Sequence, residues 1–151
     1  MFKKKIFIIL LFFLTQCGYN SVYKNSSNQN LKIVLNNFTG DKEFNKKINS
    51  EIKKYYNNNS ENIFEISVDS NLKKQIISKN TKGEISMYEL IVRCEFEIKH
   101  KNKSQLVTFN ESLKIKTSDD SFEQKKYENI VKNNFAKSIK DKLILKLNTL
   151  E

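Results

Sequence analysis

Few side chains in this sequence have chemical reach. A single histidine, His100, closes a run that carries Glu95 and Glu97. An imidazole near two carboxylates could do acid–base work, but Glu95 and Glu97 alternate with Arg93 and Lys99 on one strand face, a pattern of exposed charge pairing. One histidine excludes a multi-histidine metal site, and three glycines exclude a glycine-rich phosphate loop. A histidine-based triad would have only His100 to draw on. The missing constellation makes an enzyme a poor reading. Cys94 lies in an alternating apolar series, where a small buried side chain is expected. Lys79 and Lys82 flank a turn close to Ile76, Ile77 and Ile85. Lysines beside a turn are ordinarily solvated.

Charge and composition bound the rest. The chain has 151 residues, with 27 Lys plus Arg against 17 Asp plus Glu, for a formal +10. At 38% hydrophobic and 11% aromatic residues it can build a modest core, which excludes full disorder. Of the basic residues only Arg93 is not lysine, and Asn is abundant. Lys, Asn, Ile and Phe share A/T-rich codons, so part of this charge reflects genomic bias. A basic surface favours anionic partners. Without clusters of arginine and aromatic residues, it does not point to nucleic acid.

The N-terminus has its own logic. Lys3, Lys4 and Lys5 precede an unbroken apolar run from Ile6 to Leu14. The run is too short to span a bilayer, which takes about 20 residues, and has the form of a secretory signal. Leu14-Thr15-Gln16-Cys17 follows and resembles the lipobox of bacterial lipoproteins, with Gln16 where Gly, Ala or Ser is usual. That resemblance implies cleavage before Cys17, and covalent diacylglycerol and fatty acyl groups on Cys17 in place of any cofactor. Gly18 stands where an Asp would retain a lipoprotein at the inner membrane, so the expected destination is the outer membrane. With Cys17 acylated, Cys94 has no partner for a disulfide. The expected organisation is a signal peptide at 1–16, a lipidated, Asn- and Ser-rich tether at 17–30 and a single domain at 31–151.

Periodicity gives the elements of that domain. Leu31, Ile33 and Leu35 alternate as a strand. Thr39-Gly40-Asp41 breaks it and caps a helix running to about Tyr56, with Phe44, Ile48, Ile52 and Tyr55 on one face. Phe64, Ile66 and Val68 alternate next, and Leu72 and Ile76 extend the strand after a break near Asp69-Ser70. Asn80-Thr81-Lys82-Gly83 reads as a hairpin turn. Tyr88, Leu90, Val92, Cys94, Phe96 and Ile98 are apolar at every second position, which predicts an antiparallel sheet with one dry and one wet face. His100 to Lys103 forms the second turn. Val107, Phe109, Leu113 and Ile115 form another strand, in which Glu111 marks a bulge.

Ser118 to Ser121 opens a long helix, with Ser121 and Gln124 at capping-box spacing. Its apolar residues include Tyr127, Ile130, Phe135, Ile139, Leu143, Ile144 and Leu147. Repeated steps of four overshoot a turn by roughly 40°, so the stripe migrates around the helix. Two readings follow: the helix crosses a twisted sheet obliquely, or Leu143, Ile144 and Leu147 contact a partner protein. The order β-α-β-β-β-α predicts an α+β two-layer sandwich, two helices packed on one face of a four-stranded, mostly antiparallel sheet.

Taken together these residues resemble the LPS-assembly lipoprotein LptE family. Cys17-Gly18-Tyr19-Asn20-Ser21-Val22-Tyr23 is similar to that family's Cys-Gly-aromatic-x-Pro-Leu-Tyr opening, with Ser21 and Val22 in place of Pro and Leu. The element order fits, as do the glycine-containing turn before Tyr88-Glu89-Leu90 and the helix ending Leu143-Ile144-Leu145-Lys146-Leu147. The resemblance implies an outer-membrane lipoprotein, lipid-anchored and facing the periplasm or seated in the lumen of the LptD β-barrel. It also implies help in assembling that barrel and in carrying lipopolysaccharide to the outer leaflet. Lys79 and Lys82 are then the candidate lipopolysaccharide contacts. A lipoprotein subunit or scaffold of another cell-envelope complex, without glycolipid binding, shares the same features and differs only in its partner.

Overall fold

The computed structural model describes residues 31–53 and 60–150. Cys17, the 1–16 leader, the 17–30 tether and Tyr55 lie outside the described residues. The described elements are β1 (Leu31–Gly40), α1 (Lys42–Lys53), β2 (Asn62–Lys79), β3 (Ile85–His100), β4 (Lys103–Lys116) and α2 (Ser121–Asn148). The strands form one sheet in the order β1-β2-β3-β4. β1 pairs parallel with β2, the other two pairings are antiparallel. A parallel neighbour requires a crossover, and α1 lies on that connection. The α+β sandwich expected from the element order is the observed architecture.

Alternation builds the core. Tyr88, Leu90, Val92, Cys94, Phe96 and Ile98 of β3 are all buried, as are Phe64, Ile66 and Val68 of β2. Phe44, Ile48 and Ile52 of α1 and Val131, Phe135, Ile139 and Leu143 of α2 join them in the same cluster. Each such side chain contributes roughly 1.5–3 kcal/mol when fully buried. The helices also touch each other through polar pairs, Lys132 to Glu43 at 3.0 Å among them. Among the described residues, no element covers the opposite sheet face.

Polar residues within the strands behave differently from the expectation. No break occurs at Asp69-Ser70: β2 runs continuously, and Ser70 is buried on the dry face. Its hydroxyl is tolerated there because Asn45 of α1 accepts its hydrogen bond at 2.8 Å. Glu111 marks no bulge, since β3 and β4 stay in register throughout. Its carboxylate instead accepts from Ser138 Oγ at 2.6 Å and Lys142 Nζ at 2.7 Å, tying the edge strand to α2. The bulges fall elsewhere, one in β1 between Leu35 and Asn37, and a compensating pair at Ile77 and Ser86.

The helix starts are set by aspartates. Asp41 accepts from Phe44 N at 2.7 Å, as expected for the cap of α1. The cap of α2 is Asp120 rather than Ser121, with its side chain accepting from Phe122 N and Glu123 N. Gln124 reaches back to Ser118 N at 2.7 Å. Along α2 the buried positions migrate from Val131 and Phe135 to Ile144 and Leu147, the oblique crossing of a twisted sheet. Tyr127 and Ile130, from the early part of the stripe, stay exposed.

Candidate functional site

The residues with functional potential gather at the far end of the β2–β3 hairpin. Asn80 organises the turn: its Oδ1 accepts from Lys82 N and Glu84 N, both at 3.0 Å, and its Nδ2 donates to Glu84 Oε2 at 2.8 Å. Asn80 N donates to Glu84 O at 2.8 Å, and Gly83 N to Asn80 O at 2.9 Å. Gly83 supplies the left-handed conformation the turn needs, at φ 83°. Lys79 ends β2 opposite Ile85, and Lys82 lies in the turn. Both lysines are exposed and neither pairs with a carboxylate among the described residues.

The root of this hairpin is clamped to α2. Lys74 Nζ lies 2.8 Å from Glu128 Oε1 and 3.8 Å from the centroid of the Tyr88 ring. The Tyr88 hydroxyl donates to Glu128 and accepts from Gln124 Nε2. Burial, then the hydrogen bond and charge of Glu128, push the Tyr88 phenol well above its ordinary value. Burial alone would raise the Glu128 carboxyl, but hydrogen bonds from Lys74 and Tyr88 overcome it and hold the group below the usual carboxylate range. Lys74 is thereby ion-paired, whereas Lys79 and Lys82 have no carboxylate partner among the described residues. Sequence reading missed the clamp. Its one signal was a tyrosine beginning a buried series, since a buried phenol seeks a polar partner.

The other sequence candidates separate. Leu143, Ile144 and Leu147 are 0%, 6% and 0% exposed, so they serve the core and offer no surface to a partner in this fold. The exposed apolar residue of that turn is Leu145. Glu95 and Glu97 project to the open face, where Arg93 lies 3.3 Å from Glu95 and Lys99 lies 3.3 Å from Glu97. His100 stacks on Phe64 with ring centroids 4.1 Å apart, and its Nδ1 lies 2.9 Å from Ile63 O. By strand alternation His100 falls on the face opposite Glu95 and Glu97, and the three cannot act together. Cys94 is a free, buried thiol. Desolvation by burial, helped by the charge of Asp69, pushes it up to about 12.

The open sheet face is polar and shallowly grooved. A cavity of about 590 Å³ is lined there by Asp69, Asn71, Lys73, Arg93, Glu95 and Asn110. The whole arrangement can therefore present a hydrophilic surface along the sheet and a basic, isoleucine-bearing hairpin at its end.

This architecture is one that bacterial lipoproteins use. The domain shares its fold with rare lipoprotein B from Shewanella oneidensis, at TM-score 0.58 and 13% identity, over 76% of this chain and 96% of the other. It is likewise similar to a protein of Caulobacter crescentus classed as a lipoprotein, at TM-score 0.57 and 9% identity, over 80% and 89% of the two chains. No protein-family model and no curated protein matches the sequence.

Proposed function

We propose that this chain is a lipid-anchored lipoprotein of the outer membrane. In this reading it occupies the lumen of an LptD-like β-barrel, helps that barrel assemble and assists lipopolysaccharide transport to the outer leaflet. The observation that carries the reading is a conjunction. The lipobox-like Leu14-Thr15-Gln16-Cys17 precedes a domain whose fold is shared, over nearly all of the other chain, with a bacterial lipoprotein.

Physical chemistry supports each part. Two or more acyl chains on Cys17 suffice for stable anchoring. The lumen of a wide barrel is polar, and the open face of this sheet carries Asp69, Arg93, Glu95 and Glu97. Lipopolysaccharide bears phosphates and carboxylates, and Lys79 and Lys82, without a carboxylate partner among the described residues, stand near the exposed Ile76, Ile77 and Ile85.

Affinity purification from detergent-solubilised outer membranes, with mass spectrometry of co-eluting proteins, tests the reading. A large barrel recovered in near-equal amount is the expected result. Recovery of a different envelope complex would replace it with the alternative of a subunit without glycolipid binding, and recovery of nothing would remove both. Converting Lys79 and Lys82 together to Glu should weaken binding of lipopolysaccharide by the purified protein; unchanged affinity would remove them from the site.

A further inference from the structure

The two edges of the sheet are not alike. β1, at one edge, is 10 residues long and carries a bulge between Leu35 and Asn37, a device that turns an edge away from further pairing. β4, at the other, is 14 residues long and stays in register with β3 from end to end. It contains no proline, and between Lys103 at its start and Lys114 and Lys116 at its end the one charged residue is Glu111. That carboxylate is held by Ser138 and Lys142 of α2. A long, straight edge of this kind is a template for another strand.

One hydrogen bond gives the direction of its backbone groups. Thr117 N–H donates to Ser86 O at 3.1 Å, so by alternation the N–H and C=O of odd-numbered residues in β4 point to β3. Those of Ser104, Leu106, Thr108, Asn110 and Ser112 point outward, and no described strand receives them. The odd-numbered side chains face the core, yet Val107 and Phe109 pack against it only partly buried. The six alternating residues of β3, flanked by strands on both sides, are all 2% exposed or less. What Val107 and Phe109 lack is a neighbour on the outer side of β4.

The sequence of β4 is suited to supply that neighbour from a second copy. An antiparallel pairing about a two-fold axis at Thr108 sets Thr108 opposite itself, Ser104 opposite Ser112 and Val107 opposite Phe109. Hydroxyl pairs and aromatic–β-branched pairs are among the favourable cross-strand combinations. Glu111 then faces Gln105, and the paired stretch, 104–112, ends short of all three lysines. Registers centred on Phe109, Asn110 or Glu111 place Val107, Phe109 or a second glutamate against Glu111, and one centred on Val107 sets Phe109 against Gln105. We propose that two copies of this chain pair along β4, antiparallel and centred on Thr108, so that two four-stranded sheets become one. The pair is the form the protein takes when no barrel surrounds it, so the inference goes beyond the proposed function and does not rest on it.

Full-length protein carrying Cys17→Ser, purified in mild detergent, keeps the buried Cys94 as its only thiol. Sedimentation equilibrium should give twice the mass of one chain. Thr108→Pro should return it to the mass of one chain, because the substitution removes an outward N–H and leaves the bonds to β3 in place. Circular dichroism verifies that this variant is folded. Single cysteines then read the register, since opposed residues of such a pair stand about 5.5 Å apart, within disulfide reach. Under mild oxidation Thr108→Cys should cross-link to itself and Ser112→Cys should not, while a mixture of Ser104→Cys and Ser112→Cys should give the mixed dimer. The mass of one chain before any change to β4 overturns the proposal, as does a doubled mass that persists in folded Thr108→Pro. Cross-linking of Ser112→Cys as readily as Thr108→Cys overturns it too. No barrel is present in these measurements, so their failure leaves the proposed function standing.

Discussion

Ser70 and Asn45, twenty-five positions apart, meet inside the core, where the Ser70 hydroxyl donates to Asn45 Oδ1 at 2.8 Å. Asn45 Nδ2 donates in turn to Thr39 O at 2.7 Å, so one amide links α1 to both β1 and β2. Ser70 is 1% exposed and Asn45 7%. Replacing Ser70 with Ala leaves a buried acceptor without its donor, and should cost about 1–3 kcal/mol of stability. Urea denaturation measures it; a loss below the error of the extrapolation would mean that Asn45 finds another donor.

Gly40 sits at the same junction with φ 84°, and a Cβ there would meet the Ser70 carbonyl oxygen at 1.8 Å. Gly83 has nearly the same φ but nothing within 4 Å of the corresponding position. Gly83→Ala should therefore cost only the left-handed strain, about 1–2 kcal/mol. Gly40→Ala should cost at least about 2 kcal/mol, because backbone must move as well. Thermal unfolding of the two variants side by side decides it; equal losses would refute the clash.

Acid should weaken the attachment of α2. Hydrogen bonds from Lys142 and Ser138 outweigh the burial that would otherwise raise Glu111, and hold its carboxyl below the ordinary 4.5. Glu128 is depressed in the same way. A depressed folded-state value means that the unfolded chain binds the proton more readily. Stability from these groups is fully present above the ordinary carboxylate value and is lost as pH falls through the folded-state value. Denaturant midpoints across that acidic window should decline less steeply for Glu111→Gln than for the native chain. Parallel slopes would show that Glu111 is not part of the acid response.

The Cys94 thiol, pushed up to about 12 in a fully buried site, should resist thiol reagents while the domain is folded. With Cys17 changed to Ser, Ellman's reagent should label the chain only as fast as it opens, and urea should release the reaction. Immediate labelling of the folded protein would place Cys94 at a surface.

At the C-terminal end of α2, Leu147→Lys should destabilise the domain by about 3 kcal/mol or more, since it removes a buried side chain and adds a buried charge. Leu145→Lys, on the exposed side of the same turn, should change stability by less than about 0.5 kcal/mol. If both variants fold equally well, the packing of this helix end differs from that described.

By itself, the sequence determined the elements whose burial is written in local periodicity. The six alternating residues of β3 needed no partner to be read, because in a strand every second side chain meets the same environment. The turn at Asn80 to Gly83 was legible for a similar reason, since side-chain capping and positive φ are local properties. That legibility extended to Lys79 and Lys82 as exposed flanks of the turn. Only the tertiary structure decided the meaning of residues that break a pattern. Ser70 reads as an interruption until Asn45 is brought beside it, and Glu111 reads as a bulge until Ser138 and Lys142 arrive from α2. The migrating stripe of α2 likewise left Leu143, Ile144 and Leu147 open to two readings, and the twist of the sheet beneath them selected the core. A polar group or an off-stripe leucine is stabilised by partners distant in sequence, and which partners those are depends on register and packing rather than on the residues nearby.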